Sequence, residues 1–272
     1  LNQIKDPLPP DLKAMLNLEN LNVAIKQMHF PFDLTHYNKA RNRLVFDEFF
    51  FHQLALLHRM HQHTEQVKGP VLEIEGPLIK QHLDNLPYTL TNAQKTAVAD
   101  IKTDIQSQSA MNRLIQGDVG SGKTDVAAMA ILFAIQSGKN AAIMAPTEIL
   151  AQQHGVKFKK YFDPLGIEVV LLKGKMRKKD REAALESIQR PNPKVVVGTH
   201  ALIEDPITIP NLAMVIIDEQ HRFGVIQRMK LKQKGGTPHC LFMTATPIPR
   251  SLMLTAYGDL EKSIMDEMPP GR

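Results

Sequence analysis

The run Gly117-Asp118-Val119-Gly120-Ser121-Gly122-Lys123-Thr124 has the residue types and spacing to cradle a chain of phosphates. Its glycines let the backbone curl until successive N–H groups point at one anion. A helix beginning near Gly122 would add the positive end of its dipole. Lys123 is then the residue to reach the β and γ phosphates, and the Thr124 hydroxyl the one to help hold Mg²⁺. A plain flexible turn is the competing explanation. The flanks argue against it, because the apolar pair Leu114-Ile115 precedes the loop and a helical pattern follows from Asp125 to Ile135.

A phosphate loop needs a carboxylate to order the metal. Met214-Val215-Ile216-Ile217-Asp218-Glu219 supplies one at the end of an apolar strand. Ligands collect outside the carboxyl ends of strands in open α/β sheets, so Asp218 is expected beside the loop. There it can bind Mg²⁺ through the water shell, and Glu219 can orient or deprotonate an attacking water. The pattern implies ATP and Mg²⁺ as cofactors, with Lys123, Asp218 and Glu219 as the catalytic group.

Other groups invite chemistry and lose to simpler explanations. His58, His61 and His63 lie close together, but no cysteine accompanies them, so a polar helix end explains them better. Cys240, the only cysteine, falls in the apolar run Cys240-Leu241-Phe242-Met243 and reads as a buried thiol. A lone cysteine excludes an internal disulfide and suits a reducing compartment.

The elements that must position these residues are legible from periodicity. Apolar, unalternating runs predict strands at 113–116, 141–145, 168–172, 194–198, 214–218 and 240–244. Helical patterns fall near 92–107, 123–137, 147–161, 177–189, 223–233 and 248–257. This alternation predicts an α/β fold with a mostly parallel central sheet covered on both faces. In front of it, residues 1–66 form a helical segment, with a short pattern from Asp11 to Met28 and a longer one from about Thr35 to His63. The longer one carries a wide apolar stripe that includes Phe49 and Phe50 and needs burial against something. Residues 67–87, with Gly69-Pro70, Gly76-Pro77 and Pro87, read as a linker, and 88–272 as the nucleotide-binding domain.

Bulk composition narrows the class. The chain of 272 residues is 43% hydrophobic and 22% charged, ordinary for a globular protein. No stretch reaches membrane-spanning length and no signal peptide opens the chain, which argues against a membrane partner. Net charge is +5, and residues 1–66 are balanced, so the excess lies beyond them. Lys173, Lys175, Arg177, Lys178, Lys179 and Arg181 form one basic cluster, and Arg222, Arg228, Lys230, Lys232 and Lys234 another. Such clusters can meet a phosphate backbone, although solvated helix faces look the same.

The remaining motifs carry a resemblance. Asp218-Glu219-Gln220-His221 is a DExH box, and Thr244-Ala245-Thr246 matches the element that follows it in helicase cores. Ala145-Pro146-Thr147-Glu148-Ile149-Leu150-Ala151-Gln152-Gln153 matches their Ia segment, and Val197-Gly198-Thr199-His200-Ala201-Leu202 their Ib segment. Leu90-Thr91-Asn92-Ala93-Gln94 resembles the adenine-reading glutamine motif, with Tyr88 available to stack on the base. Asp218–Val225, Thr244–Arg250 and the front segment His29-Phe30-Pro31 followed by Ala40–Phe50 resemble the RecG branch of superfamily 2 helicases.

That resemblance implies a RecA-like first motor lobe of a bacterial, cytoplasmic, nucleoid-associated enzyme. It implies ATP-driven movement on duplex DNA and remodelling of branched DNA such as stalled forks and Holliday junctions. Pro146, Thr147, Gly198, Thr199, His200 and Arg250 would face DNA, while Gln220, His221, Thr244 and Thr246 would couple the two sites. A second RecA-like lobe and a DNA-binding wedge domain are the implied partners. Because the chain opens at Leu1 and stops at Arg272, it is expected to be a fragment, nearly inactive alone. Asp125 departs from the pattern, since a neutral residue is usual directly after Thr124. A translocase lobe of the transcription-repair coupling type is the nearest rival. A non-catalytic DNA-binding module with a vestigial pocket is a rival of another class, and a small-molecule kinase fails for lack of a lid.

Overall fold

The computed structural model describes residues 4–66, 68–107, 109–174, 176–199, 202, 207–219, 237–246 and 260–269. They fall into two compact units, one reaching to His61 and the other starting at Gln62. The predicted helices at 223–233 and 248–257 lie outside the described residues.

The first unit is helical. Helix α1 spans Pro10–Met15, α2 Leu21–His29 and α3 Leu34–Gln66. The single short helix expected between Asp11 and Met28 is therefore two. Asn17 takes a left-handed φ of 50°, which a short polar side chain tolerates, and this breaks the pattern after Met15. The centre of the unit is a cation. Arg43 is fully buried and donates to Asp6 Oδ1 at 2.6 Å and to Asp47 Oδ1 at 2.8 Å. Asp6 also accepts from Lys13 Nζ and from the Leu21 backbone N–H, so one carboxylate joins all three helices. The Arg43 guanidinium holds that carboxyl well below the usual range. The expected apolar stripe of α3 is only partly buried, since Phe49, Leu54 and Leu57 are exposed.

The second unit is a seven-stranded sheet in which every pairing is parallel. Its strands are β1 (Asn112–Gly117), β2 (Asn140–Met144), β3 (Glu168–Leu172), β4 (Lys194–Gly198), β5 (Leu212–Asp218), β6 (His239–Thr244) and β7 (Glu261–Met265). The spatial order is β3-β4-β2-β5-β6-β1-β7. Helices α4 (Pro77–Asn85), α5 (Asn92–Gln106), α6 (Lys123–Gln136), α7 (Glu148–Phe162) and α8 (Lys178–Gln189) complete it. The central strands β2, β4 and β6 are buried along their whole length, which is why their sequences do not alternate. All residues of α6 from Asp125 to Ile135 are buried, so the helix leaving the glycine loop runs through the core.

Two elements were not expected. Strand β7 lies at a sheet edge and buries Ser263 and Met265 while exposing Glu261 and Ile264, so it lacks a continuous apolar run. Helix α4 falls inside the stretch read as linker. Proline fits its first turn, and Ile79 and His82 are buried. Segments around it are held as well: His239 Nε2 donates to Pro70 O at 2.8 Å, and the Glu73 N–H donates to Ser137 Oγ at 2.7 Å.

Candidate functional site

The glycine loop leaves the carboxyl end of β1 and the acid pair leaves the carboxyl end of β5. These strands are not neighbours; β6 runs between them. The register sets Asp218 opposite Met243 and Met243 opposite Ile115, so the acid strand ends level with Ile115, two residues before the loop begins at Gly117. Two strand spacings separate them, about 10 Å. A gap of that width at a sheet edge suits a metal–phosphate group.

Lys123 opens α6, behind Gly122 in the left-handed conformation (φ 86°). A side chain at Gly122 would run into Gln94 Nε2, and one at Gly117 would stand 2.7 Å from the Met265 backbone oxygen, so both positions need glycine. Lys123 Nζ donates to the backbone oxygens of Gly117 at 2.6 Å and Asp118 at 2.9 Å. Burial pushes its pKa down, with Asp218, Glu219 and Asp118 pulling partly back. Its charge is thus held by carbonyls, with carboxylates near but not in contact. Ser121 Oγ is buried and has no hydrogen-bond partner among the described residues. Thr124, the second residue of α6, is half-buried, while Asp118 and Val119 at the loop tip are exposed. Glycine curl, helix start, cation and orphaned hydroxyl together fit a bound polyphosphate.

Glu219 adopts φ 52°, a left-handed conformation unusual for glutamate and costing on the order of 1–3 kcal/mol. The Glu219 N–H donates to Asp218 Oδ1 at 3.1 Å. On the other side, Asp218 Oδ2 lies 2.7 Å from His154 Nε2. Reading the sequence missed His154. The signal was its place in the second turn of the helix that starts at Thr147, on the same sheet edge.

Gln94 does a job that its motif did not announce. Fully buried, it accepts from the Thr91 N–H at 2.8 Å and donates from Nε2 to Ser121 O at 3.1 Å. With the Thr91 hydroxyl accepting from the Gln94 N–H, this forms a capping box at the start of α5. The glutamine therefore fastens the phosphate loop to a helix terminus. Tyr88, expected to stack on a base, is partly exposed, and its hydroxyl donates to Asp125 Oδ1 at 3.1 Å. Asp125 also accepts from Tyr161 Oη at 2.6 Å and is buried. The unusual acid after Thr124 thus pairs with two tyrosines. Burial, with the bond to Asp125 adding, pushes the Tyr161 hydroxyl far above its ordinary pKa. His82 packs edge-on against Tyr161 and burial pushes its pKa down.

The remaining predicted residues divide. Thr147 caps α7, its Oγ1 accepting from the Leu150 N–H at 3.3 Å, with Pro146 half-buried before it. Thr199 departs from the expectation of a DNA-facing side chain, being 1% exposed. Gly198 ends β4 with no room for a side chain, which would stand 2.5 Å from Leu172 O. Thr244 Oγ1 and Thr246 Oγ1 lie 2.9 Å apart, and Thr244 pairs in register with Gln116 just before the loop. His200, Gln220, His221 and Arg250 lie outside the described residues, as do Lys175 and the whole cluster from Arg222 to Lys234. No group of three metal-ligating side chains occurs among the described residues, and no described helix is long and apolar enough to cross a membrane.

A parallel sheet with a glycine loop and an acid pair at one edge defines an ATP-binding core of the helicase type. The DEAD/DEAH box helicase family model matches residues 91–255, and the chain belongs to that family. More narrowly, it is 47% identical over 99% of its length to the ATP-dependent DNA helicase RecG of Synechocystis sp., covering 32% of that protein. The RecG of Bacillus subtilis is 43% identical over the whole chain, which covers 40% of it. A solved structure of RecG bound to a three-way DNA junction superimposes with a TM-score of 0.84 at 43% identity, covering 99% of this chain and 36% of that one. The chain thus spans about a third of the length of these relatives.

Proposed function

We propose that this chain is the ATP-binding motor lobe of a RecG-like DNA translocase that remodels branched DNA. The observation that carries the reading is the placement of Lys123 and the acid pair Asp218-Glu219 at the carboxyl end of one sheet, on strands separated only by β6. Thr124 and Asp218 would hold Mg²⁺, which would neutralise charge on the phosphates. Lys123 would exchange the carbonyls of Gly117 and Asp118 for phosphate oxygens. Glu219 would take a proton from the attacking water. Thr244 and Thr246, with Gln220 and His221, would link that site to DNA held by Pro146, Thr147, Gly198, His200 and Arg250. Such contacts track the phosphate backbone, so binding should weaken with salt and tolerate any sequence.

The identity to RecG over almost the whole chain supports a bacterial, nucleoid-associated role on forks and junctions. A second motor lobe and a wedge domain would complete the machine, and the lobe by itself should turn over little ATP. Lys123→Ala in a full-length protein carrying this lobe should cut DNA-stimulated ATP turnover by about 10²–10³, the usual cost of one preorganised charge contact. Turnover within twofold of wild type would sink the enzyme reading in favour of a DNA-binding scaffold.

A further inference from the structure

Asp218 is gripped from two sides. Its Oδ1 accepts from the Glu219 N–H at 3.1 Å, and its Oδ2 lies 2.7 Å from His154 Nε2. An ionised carboxylate has no hydrogen to offer, so the imidazole nitrogen is the donor. Both side chains are largely buried, at 12% and 14% exposure. The imidazole is fixed in turn. It stacks on Phe158 one turn further along α7, with ring centroids 5.9 Å apart and planes at 26°. Phe158 stacks on Phe162 at 5.6 Å, and both phenyl rings are fully buried. A core aromatic column thus ends in a histidine, and that histidine ends on the carboxylate beside the phosphate loop.

We propose that His154 is a positioning residue that locks Asp218 in the one rotamer able to meet the hydration shell of a nucleotide-bound magnesium ion. The inference rests on the nucleotide reading above and deepens it. A carboxylate at a strand terminus has two free torsions, and each unlocked torsion is ordering that metal binding must supply. Partners that orient a metal-binding carboxylate typically change metal affinity about 10- to 100-fold when removed. Such a residue acts on the metal-dependent part of nucleotide binding and leaves the metal-independent part alone.

The test uses the 272-residue chain and a fluorescent N-methylanthraniloyl ATP analogue, titrated once in Mg²⁺ and once in EDTA. Wild type should bind more tightly in Mg²⁺. His154→Ala should lose about tenfold or more of its affinity in Mg²⁺ and none in EDTA. His154→Gln, whose amide can still donate, should recover most of the loss. His154→Leu fills the space over Phe158 without a donor and should behave like the alanine variant, so it carries the test if alanine does not fold. A leucine variant that keeps the full Mg²⁺ gain would overturn the proposal. So would a loss of equal size in Mg²⁺ and EDTA, the mark of a packing role. A wild-type chain that gains nothing from Mg²⁺ would defeat the nucleotide reading itself, and His154 with it.

Discussion

The two edges of the sheet treat buried charge in opposite ways. At the amino edge, Arg113 on β1 donates to Asp104 at 2.6 and 2.8 Å and to Ser263 Oγ at 3.0 Å. Lys194 opens β4 fully buried, donating to the backbone oxygens of Ser187 and Arg190, with Glu168 3.7 Å away. Those charges are closed. At the carboxyl edge, Lys123 touches only carbonyls, and no carboxylate among the described residues comes within ion-pair distance of it. Its acids stand off at Asp218 and Glu219, with room between. A closed pair holds strands in place, whereas an open one leaves its electrostatic attraction available to a ligand. The helical unit follows the first pattern, with Arg43 closed onto Asp6 and Asp47.

This contrast can be broken most forcefully at Arg113. Its burial works against the charge, yet Asp104 and Asp100 more than offset that and hold the guanidinium charged. Arg113→Ala leaves those acids without their cation and should cost about 3–5 kcal/mol in denaturant unfolding. Lys123→Ala should leave the unfolding midpoint nearly unchanged. Equal losses from the two variants would erase the distinction between closed and open charges.

A smaller effect sharpens the comparison where α6 enters the core. Asp125 is a closed acid beside the open site. Asp125→Leu takes away the carboxylate oxygen that the Tyr161 and Tyr88 hydroxyls share and should cost about 1–3 kcal/mol. Adding Tyr161→Phe and Tyr88→Phe removes the donors that lost this acceptor and should recover most of that stability. If the triple variant is no more stable than Asp125→Leu alone, the tyrosines are not what gives this acid its place.

The smallest effect lies on the pH axis. Lys123 has its folded pKa lowered by burial, so in the window between that value and the unfolded value of 10.5 the unfolded chain binds more protons. Stability attributable to Lys123 therefore rises with pH through that window and is flat below it. Thermal melting of wild type and Lys123→Met should show the wild type gaining on the variant as pH climbs toward 10.5. A constant difference between them across that range would mean that the ammonium is not desolvated.

Much of this was readable before any coordinates. The run from Gly117 to Thr124 and the apolar strand ending in Asp218-Glu219 are local signals, and six of the seven strands announce themselves because each is built around buried apolar residues that do not alternate with polar ones. Strand β7 did not, since an edge strand half in solvent resembles a loop in one dimension. Helix α4 hid among glycines and prolines that look like punctuation, although Pro77 begins it. The break between α1 and α2 near Asn17 came from a left-handed backbone that no apolar period records.

Residue order alone settled which chemistry this protein could attempt, because a phosphate cradle and a strand-end acid are each built from contiguous residues whose backbone direction follows from their types. Tertiary packing decided which distant side chains would steady that chemistry. His154 met Asp218, Gln94 met the loop at Ser121, and Asp125 met Tyr88 and Tyr161 across separations of 64, 27, 37 and 36 residues. Contacts of that range depend on strand order and helix register, and neither is written in any short stretch of chain.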